Sequence, residues 1–293
     1  MIHRVNTFIN QRGKKIFTQE WIPESDIKAA VLLIHGYAGH SGRFKEFANK
    51  LVKQKYAVFA LDLQGFGRSD GTAADIEDFN DYVKDTTIYL ENLQKEFSDL
   101  PLFLMGHSMG GNIALITAAQ NDHQLNGLIL SAPALKAMSN LPKVIQDMAN
   151  YISAFAATIP VLRMDIEVIS RDTKVIEEFK KDPLSYNGRI RARMANQLAK
   201  GSEKAREAAL KITYPVWIGH GTDDKLIDPK GTHEFNEIVP SEEITCHLYE
   251  GLYHDILHEP EKEKVTNDII SWLDEYTSNE VGEIVDKEKE MAK

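Results

Sequence analysis

The feature that most constrains the fold of this chain is a repeated alternation of short apolar runs with helical segments. The apolar runs are mostly bounded by Gly, Pro or Asp and cover 29–36, 56–63, 100–106, 125–133 and 214–221. Runs that are apolar throughout are typical of strands in a parallel sheet, because helices cover both of its faces. Within 76–97, Phe79, Val83 and Leu90 recur at helical spacings. The alternation predicts an α/β fold with a mostly parallel central sheet and helices on both faces.

Two segments depart from this alternation. The N-terminal stretch VNTFINQRGKKIFTQEWIP contains two extended runs around a turn, which predicts an antiparallel hairpin at the leading edge of the sheet. Residues 135–205 are helix-like throughout, contain no convincing strand and begin just after Pro133, where a predicted strand ends. We therefore predict one α/β core formed by 1–134 and 206–293, with 135–205 inserted as a helical cap.

Composition and charge narrow the classes of partner and compartment. The formal net charge of −10 argues against a nucleic-acid partner, because such binding needs Lys and Arg to displace counterions. The single cysteine, Cys246, rules out an intramolecular disulfide and a zinc site built from cysteines. Neither a signal peptide nor an apolar stretch of about 18 residues is visible, so we expect a cytoplasmic protein without a transmembrane helix.

The segment GHSMGG is a candidate nucleophile site. Gly106, Ser108 and Gly110 match the pattern G-x-S-x-G, with an apolar run before it and the helix-like NIALITAAQ after it. In this pattern the chain turns sharply from strand to helix and presents the serine hydroxyl above the carboxyl edge of the sheet. An ordinary strand-to-helix turn is the alternative, since Gly and Ser are common residues. The flanking strand and helix favour Ser108 as a nucleophile.

A serine nucleophile needs a histidine base that a carboxylate orients, in the chain order Ser, acid, His. Three candidate acids follow the run 214–221, namely Asp223, Asp224 and Asp228. His254 follows the last predicted strand, ITCHLYEG, in a loop at its carboxyl end, where catalytic groups belong. The residue pattern therefore favours His254 as the base and leaves the acid open among the three aspartates.

Acyl transfer also requires N–H donors for the developing oxyanion. Met109 follows the candidate nucleophile, and its backbone N–H is the first expected donor. Tyr37 follows His-Gly in LLIHGYAGHSGRF, the segment after an early strand, and its backbone N–H is the second. This chemistry uses protein groups and water alone, so we expect neither a metal nor an organic cofactor.

Taken together, the motifs resemble the α/β-hydrolases, and within them the monoacylglycerol lipase/lysophospholipase group with a helical lid. The matching segments occur in the order of that family: HGYAGHSGRF, DLQGFGRSDG, GHSMGG, SAP, SRD, KDPL, GTDDKLIDPKG and YEGLYHDILHE. They cover most of the chain, and their combination is much more specific than any one of them. The resemblance implies a serine hydrolase that cleaves carboxylic esters of single-chain lipids, above all monoacylglycerol.

The resemblance also implies roles for individual residues. The acid of the family maps onto Asp224 and its histidine onto His254, which completes a triad with Ser108. Some relatives carry an acidic residue where this chain has His40. We therefore expect His40 at the polar rim of the substrate pocket, beside the alcohol part of the substrate.

The segment PKVIQDMANYISAFAATIPVL in the predicted cap is unusually apolar. Met148, Ile152 and Phe155 fall close to one helical stripe. Packing of this stripe on the core is the plain alternative. We expect instead that its inner face receives the acyl chain of a small lipid ester, and that its outer face contacts a membrane surface transiently. The motifs predict no particular oligomeric state.

Other functions share parts of this pattern. A lysophospholipase, another esterase, a thioesterase or an acyltransferase would use the same acyl-enzyme, and a hydrolase-fold receptor would keep the pocket with little turnover. The segment GFGRSDG follows the second parallel strand with the spacing G-x-G-x-x-x-G, which disfavours a dinucleotide-binding site. The complete set of nucleophile, acid, base and oxyanion loops favours an enzyme.

Overall fold

The computed structural model of the protein describes residues 1–120, 125–136 and 156–291 of the 293-residue chain. The strands in these ranges are β1 (Ile2–Ile9), β2 (Lys15–Ile22), β3 (Ala29–Ile34), β4 (Tyr56–Leu61), β5 (Leu102–His107), β6 (Gly127–Ser131), β7 (Pro160–Leu162), β8 (Ile190–Arg191), β9 (Val216–Gly221) and β10 (Ile244–Tyr249). The helices are α1 (Lys45–Lys53), α2 (Asn80–Glu96), α3 (Met109–Ala118), α4 (Thr173–Lys181), α5 (Ala192–Ala209), α6 (Lys230–Ile238) and α7 (Lys262–Met291). Short 3₁₀ turns cover Ser41–Phe44 and Ile166–Val168.

One eight-stranded sheet runs through the molecule in the order β1-β2-β4-β3-β5-β6-β9-β10. The six strands from β4 to β10 in this order are parallel, and β2 pairs antiparallel with both β1 and β4. The predicted hairpin is therefore formed by β1 and β2 and occupies one edge. The prediction of a mostly parallel central sheet is confirmed.

Two apolar layers cover the two faces of this sheet. Along β3, Leu32 faces the layer that contains α2, α3 and α5, whereas Val31 faces the layer that contains α1 and α7. Successive residues of a strand point to opposite faces, so a strand covered on both sides has to be apolar throughout. This requirement accounts for the uninterrupted apolar runs of β3, β4 and β5.

The carboxyl ends of the parallel strands meet at one edge of the sheet, and the predicted site residues follow them. The loop with Tyr37 leaves β3, Ser108 follows β5, Asp224 follows β9 and His254 follows β10. Between β6 and β9 the chain leaves the sheet at this same edge. A segment inserted here emerges beside the turn at Ser108.

The expectation that the insertion contains no strand is wrong at two places. β7 and β8 pair antiparallel as a small two-stranded sheet, with Leu162 opposite Ile190. Strands of two or three residues are too short for an alternating pattern to be visible in the sequence. Their pairing depends on residues about thirty positions apart being brought together by the fold.

Helix α5 continues through position 205, where the predicted cap boundary lies, and docks on the core. The side-chain carbonyl of Gln197 accepts the backbone N–H of Phe79 at 2.9 Å. A Cβ added at Gly201 would lie 2.5 Å from the ring of Phe79. This helix therefore connects the insertion to the core through close packing.

Among the helices in the described ranges, none combines the length and the apolar character that crossing a bilayer requires.

Candidate active site

The chain reverses direction at a single residue, Ser108, between β5 and α3. Ser108 has φ 56° and ψ −120°, a backbone conformation that residues other than glycine rarely adopt. A Cβ added at Gly106 would collide with the carbonyl of Gly110, and one added at Gly110 would collide with the carbonyls of Ile34 and His35. Because α3 packs so closely against the strands, only glycine fits at these two positions, and the turn places the serine at the N-terminus of the helix.

Three side chains meet at this turn in a line of hydrogen bonds. His254 Nε2 lies 2.8 Å from Ser108 Oγ, and His254 Nδ1 lies 2.6 Å from Asp224 Oδ2. Asp224 Oδ1 accepts the backbone N–H groups of Leu226 and Ile227 at 2.8 and 3.0 Å. When Nδ1–H donates to the carboxylate, Nε2 is free to accept the serine proton. The structure thus brings together the residues predicted as nucleophile, base and acid.

The other two candidate acids have different surroundings. Asp223 is exposed, and its Oδ1 accepts the Thr222 hydroxyl at 3.3 Å. Asp228 Oδ1 accepts the backbone N–H of Lys230 at 3.0 Å. Asp224, by contrast, is only 3% exposed. Of the three aspartates, Asp224 alone reaches the proposed base.

The charged forms of Asp224 and His254 stabilise each other, which shifts the pKa values of both groups. Burial alone would raise the pKa of Asp224, but His254 and His220 outweigh it and hold that pKa well below its usual range. Burial works to lower the pKa of His254, and the charge and hydrogen bond of Asp224 outweigh this and raise it. His107, whose ring centroid lies 5.1 Å from that of His254, has its pKa lowered to about 3 by burial. His107 therefore stays neutral beside the base.

His220, for which the sequence motifs predict no role, is a fourth member of the cluster. Its Nε2 lies 2.9 Å from Asp224 Oδ2, the same oxygen that accepts from His254. Its Nδ1 lies 2.7 Å from Thr232 Oγ1, and the ring is fully buried. When Nδ1 accepts the threonine hydroxyl, Nε2–H donates to the carboxylate. The signal in the sequence is the segment WIGHG, which puts His220 near the carboxyl end of β9.

The ligand atoms of His220, Asp224 and His254 lie within 4.8 Å of one another, close enough to surround a metal ion. Both imidazoles, however, already bond to the carboxylate oxygen that such an ion would need. A metal here would have to replace two buried hydrogen bonds. The arrangement is better suited to fixing the tautomer of His254 than to binding a cation.

The loop after β3 passes directly beside the serine. A Cβ added at Gly36 would lie 3.0 Å from the Cβ of Ser108. Tyr37 is the next residue of this loop, and Met109 is the first residue of α3. The first N–H groups of a helix have no acceptor within it, and they carry a partial positive charge. The two backbone groups predicted as oxyanion donors therefore belong to segments that meet at Ser108.

The side chain of Tyr37 lies between the core and the predicted cap. Its ring makes edge contacts with Phe66 at 5.5 Å and with Tyr186 at 6.3 Å between centroids. Its hydroxyl has no hydrogen-bond partner among the described residues, and burial raises its pKa. The phenol stays neutral.

His40 contacts Asp182 in the predicted cap rather than the serine. Its Nε2 lies 2.6 Å from Asp182 Oδ2, and its Nδ1 accepts the backbone N–H of Gly42 at 3.2 Å. With His258 it lines a surface depression of about 380 Å³ that Ser108 does not line. Its expected role at the pocket rim stays a prediction. Three further predicted substrate contacts lie outside the described residues, namely Met148, Ile152 and Phe155.

Comparisons with known proteins extend over most of the chain. The profile of the serine aminopeptidase S33 family matches residues 25–261. The monoacylglycerol lipase of Mycolicibacterium smegmatis is 32% identical over 268 residues, which cover 92% of this chain and 96% of that protein. The monoglyceride lipase of Homo sapiens is 31% identical over 271 residues, covering 92% and 89%. A soluble variant of the monoglyceride lipase of Saccharomyces cerevisiae, crystallised with a substrate analog, superposes with a TM-score of 0.84 at 27% identity, covering 94% and 96%.

We expect Asp224→Asn to slow the labelling of Ser108 by a fluorophosphonate probe by about two to four orders of magnitude, because an amide no longer fixes the tautomer of His254. The second-order labelling rate is measured by mass spectrometry. Asp223→Asn is the matched control, since it makes the same change on an exposed neighbour, and its rate should stay close to that of the wild type. Equal losses in the two variants would contradict the assignment of Asp224.

The labelling rate should also depend on pH through His254, which accepts the serine proton only when neutral. Because the pKa of His254 is raised above its ordinary value of 6.5, the rate should be low at acidic pH and reach half of its maximum above pH 6.5. The rate is measured from pH 5 to 9 with the folded state checked by circular dichroism. A midpoint below pH 6.5 would show that Asp224 does not act on His254 in this way.

Proposed function

This chain belongs to the serine aminopeptidase S33 family of α/β-hydrolases, and we propose that it hydrolyses the ester bond of monoacylglycerols through a serine acyl-enzyme. The observation that carries the proposal is the line of hydrogen bonds from Ser108 through His254 to Asp224, 2.8 and 2.6 Å long. Such a line turns a weak nucleophile into one that attacks a carbonyl. The substrate class is supported by two relatives named for this activity, which are 32% and 31% identical over 92% of the chain.

In the first half of the reaction, Ser108 Oγ attacks the ester carbonyl while His254 Nε2 takes its proton. Asp224 stabilises the imidazolium that forms, and the N–H groups of Tyr37 and Met109 hold the oxyanion. His254 then gives the proton to the departing glycerol oxygen. Glycerol leaves, and the acyl group stays bound to the serine.

In the second half, a water molecule takes the place of glycerol. His254 removes a proton from this water, and the resulting hydroxide attacks the acyl carbonyl. The tetrahedral intermediate collapses, Ser108 Oγ regains its proton from His254, and the fatty acid is released. The same two hydrogen bonds serve both halves, because the second is the chemical reverse of the first with water as the alcohol.

The acyl chain is proposed to lie under the cap formed by 135–205, on the core formed by 1–134 and 206–293. An apolar cluster beside the oxyanion loop supports this location, and it consists of Ala38, Ile166, Ile169, Ile176 and Phe179. Tyr37, Met164 and Leu226 pack against it. An apolar wall next to the oxyanion donors suits a chain attached to the reacting carbonyl. Met148, Ile152 and Phe155 are proposed to complete that wall.

The cap is also proposed to contact a lipid surface while substrate is taken up. Ile159, Val161 and Leu162, in and just before β7, are 49%, 47% and 55% exposed. Arg163 and Arg189 are exposed nearby on the chain segments that flank the small sheet. Apolar side chains next to cationic ones are typical of surfaces that rest in the interfacial region of a membrane.

We expect kcat/KM for monoacylglycerols to rise with acyl length from C2 towards C16, by up to about fourfold for each methylene that the cap buries. Triacylglycerol should be a poor substrate, because one covered groove does not hold three chains. The panel also contains lysophosphatidylcholine, an acyl thioester and a p-nitrophenyl ester. Ser108→Ala is the control, and it should lower kcat by about 10⁶-fold with the fold retained.

Each possible result of this substrate panel would favour one of the alternative functions over monoacylglycerol hydrolysis. A higher kcat/KM for the lysophospholipid or for the thioester would replace the glycerol ester as the substrate class. Tight binding of monoacylglycerol without turnover would point to a receptor. A preference for acetate esters would contradict the proposal that the cap forms a groove for the acyl chain.

We expect Val161→Ser/Leu162→Ser to weaken binding to vesicles of phosphatidylcholine and phosphatidylglycerol, measured by co-sedimentation, while turnover of a dispersed short-chain ester is unchanged. The matched control is Val5→Ser/Ile9→Ser on β1, where the two side chains are 56% and 64% exposed. Its vesicle binding should equal that of the wild type. Equal loss in both pairs would show that the cap has no special affinity for lipid.

A further inference from the structure

The segment SRD, residues 170–172, lies against the loop that carries His254, although the proposed mechanism gives it no role. The contact begins one residue before the motif, where the carbonyl of Ile169 accepts the backbone N–H of Asp255 at 2.8 Å. Asp255 is the residue directly after the proposed base. The backbone that presents His254 is therefore bonded to the cap and not only to the core.

Ser170 and Arg171 extend this contact along the loop. Ser170 Oγ donates to the carbonyl of His258 at 3.2 Å. The backbone N–H of Arg171 donates to Glu259 Oε1 at 2.7 Å, and its Nε donates to Oε2 at 2.5 Å. The guanidinium also pairs with Glu261. Three consecutive cap residues thus bond to successive parts of one loop.

The pair of Arg171 and Glu259 is the strongest of these contacts. The Glu259 side chain is 0% exposed, whereas that of Arg171 is 32% exposed. A buried carboxylate requires a charged or N–H partner for each oxygen, and both oxygens here bond to Arg171. The planar guanidinium and the backbone N–H together fix the position of Glu259 in two directions. A lysine at this position would offer one flexible point charge, which cannot reproduce the directed hydrogen bond of the guanidinium.

The core also holds this loop. His258 Nε2 lies 2.9 Å from the carbonyl of Arg43, and His258 Nδ1 lies 2.8 Å from Asp255 Oδ1. Ile256 and Leu257 are buried in the apolar layer beneath. The loop is therefore bonded both to the core and to the segment 169–171.

We propose that Arg171 is a positioning residue for the reaction, which holds the loop through Glu259 so that His254 Nε2 stays within hydrogen-bond distance of Ser108 Oγ. This inference rests on the proposed function, because the 2.8 Å spacing matters for rate only if the line of hydrogen bonds performs catalysis. A misplacement of about 1 Å in such an arrangement costs on the order of 10²-fold in rate. The cap then contributes to catalysis itself, in addition to covering the substrate.

The test compares Arg171→Gln, Arg171→Lys and the wild type in steady-state hydrolysis of a monoacylglycerol. We expect Arg171→Gln to lower kcat by about 10- to 100-fold with little change in KM, and Arg171→Lys to fall between the two. Lys180→Gln is the matched control. It breaks an ion pair with Glu167 that lies wholly within the cap, with side chains 44% and 64% exposed, and its kcat should equal that of the wild type.

A second pair of measurements separates positioning from loss of stability. Arg171→Gln leaves the buried carboxylate of Glu259 with the backbone N–H of residue 171 but without a cationic partner, so Arg171→Gln/Glu259→Gln is included to remove both charges. Hydrogen exchange of the folded proteins should be faster at the N–H of Asp255 in both variants, at a temperature well below Tm. Wild-type kcat in both folded variants would overturn the inference, and so would a loss that disappears when the assay is cooled further below Tm.

Failure of the proposed function would look different. It would appear as a wild-type protein that neither hydrolyses any ester of the panel nor reacts with the fluorophosphonate. In that case the hydrogen-exchange measurement still tests whether Arg171 holds the loop. Unchanged exchange at the N–H of Asp255 in the variants would mean that it does not.

Discussion

The strained backbone of Ser108 is the constraint on which the rest of the site depends. A conformation of this kind costs about 1 to 3 kcal/mol and persists only where the surroundings leave no alternative. Here the N–H of Ser108 donates to the carbonyl of Ser131 at 3.0 Å, and its carbonyl accepts the N–H of Ala134 at 3.1 Å. Ser131 is the last residue of β6, and Ala134 lies just before the insertion. The strained turn at the proposed nucleophile is therefore held by the end of β6 and by the residues directly after it, which ties a local strain to the sheet.

The second dependence is electrostatic and centres on Asp224. Its two oxygens accept from His254, His220 and the backbone N–H groups of Leu226 and Ile227. Loss of hydration makes a buried carboxylate unfavourable unless such donors replace the water. The same donors hold the side chain in one orientation. The two histidines lower the pKa of Asp224, and Asp224 raises that of His254. The stability of the buried charge and the raised pKa of the proposed base are consequences of one arrangement.

The sequence predicts those features that depend on local pattern, and it misses those that depend on the direction of one side chain. Strands such as β3 and β5 are apolar throughout because both faces are covered, so their class was predictable. Three aspartates follow β9 within 223–228, and the choice among them depends on the turn after that strand, which residue pattern does not determine. The contact of His220 with Asp224 was not predicted, because it depends on the orientation of the imidazole ring. Strands β7 and β8 were not predicted, because segments of two or three residues are too short to show an alternating pattern.

The position of the insertion in the sheet explains how one segment can lie near both Ser108 and the loop of His254. In the sheet, β6 lies between β5, which leads to Ser108, and β9, which leads to Asp224. Parallel strands present their carboxyl ends at one edge, so an insertion after β6 begins beside the nucleophile. The end of β9 also packs against the loop of His254, because a Cβ at Gly221 would collide with the carbonyls of Leu252 and Tyr253. Further along the same insertion, the segment 166–172 lies against the loop of His254, where the carbonyl of Ile169 accepts the backbone N–H of Asp255. This topology is compatible with both roles proposed for the insertion, which are to cover the substrate and to position His254.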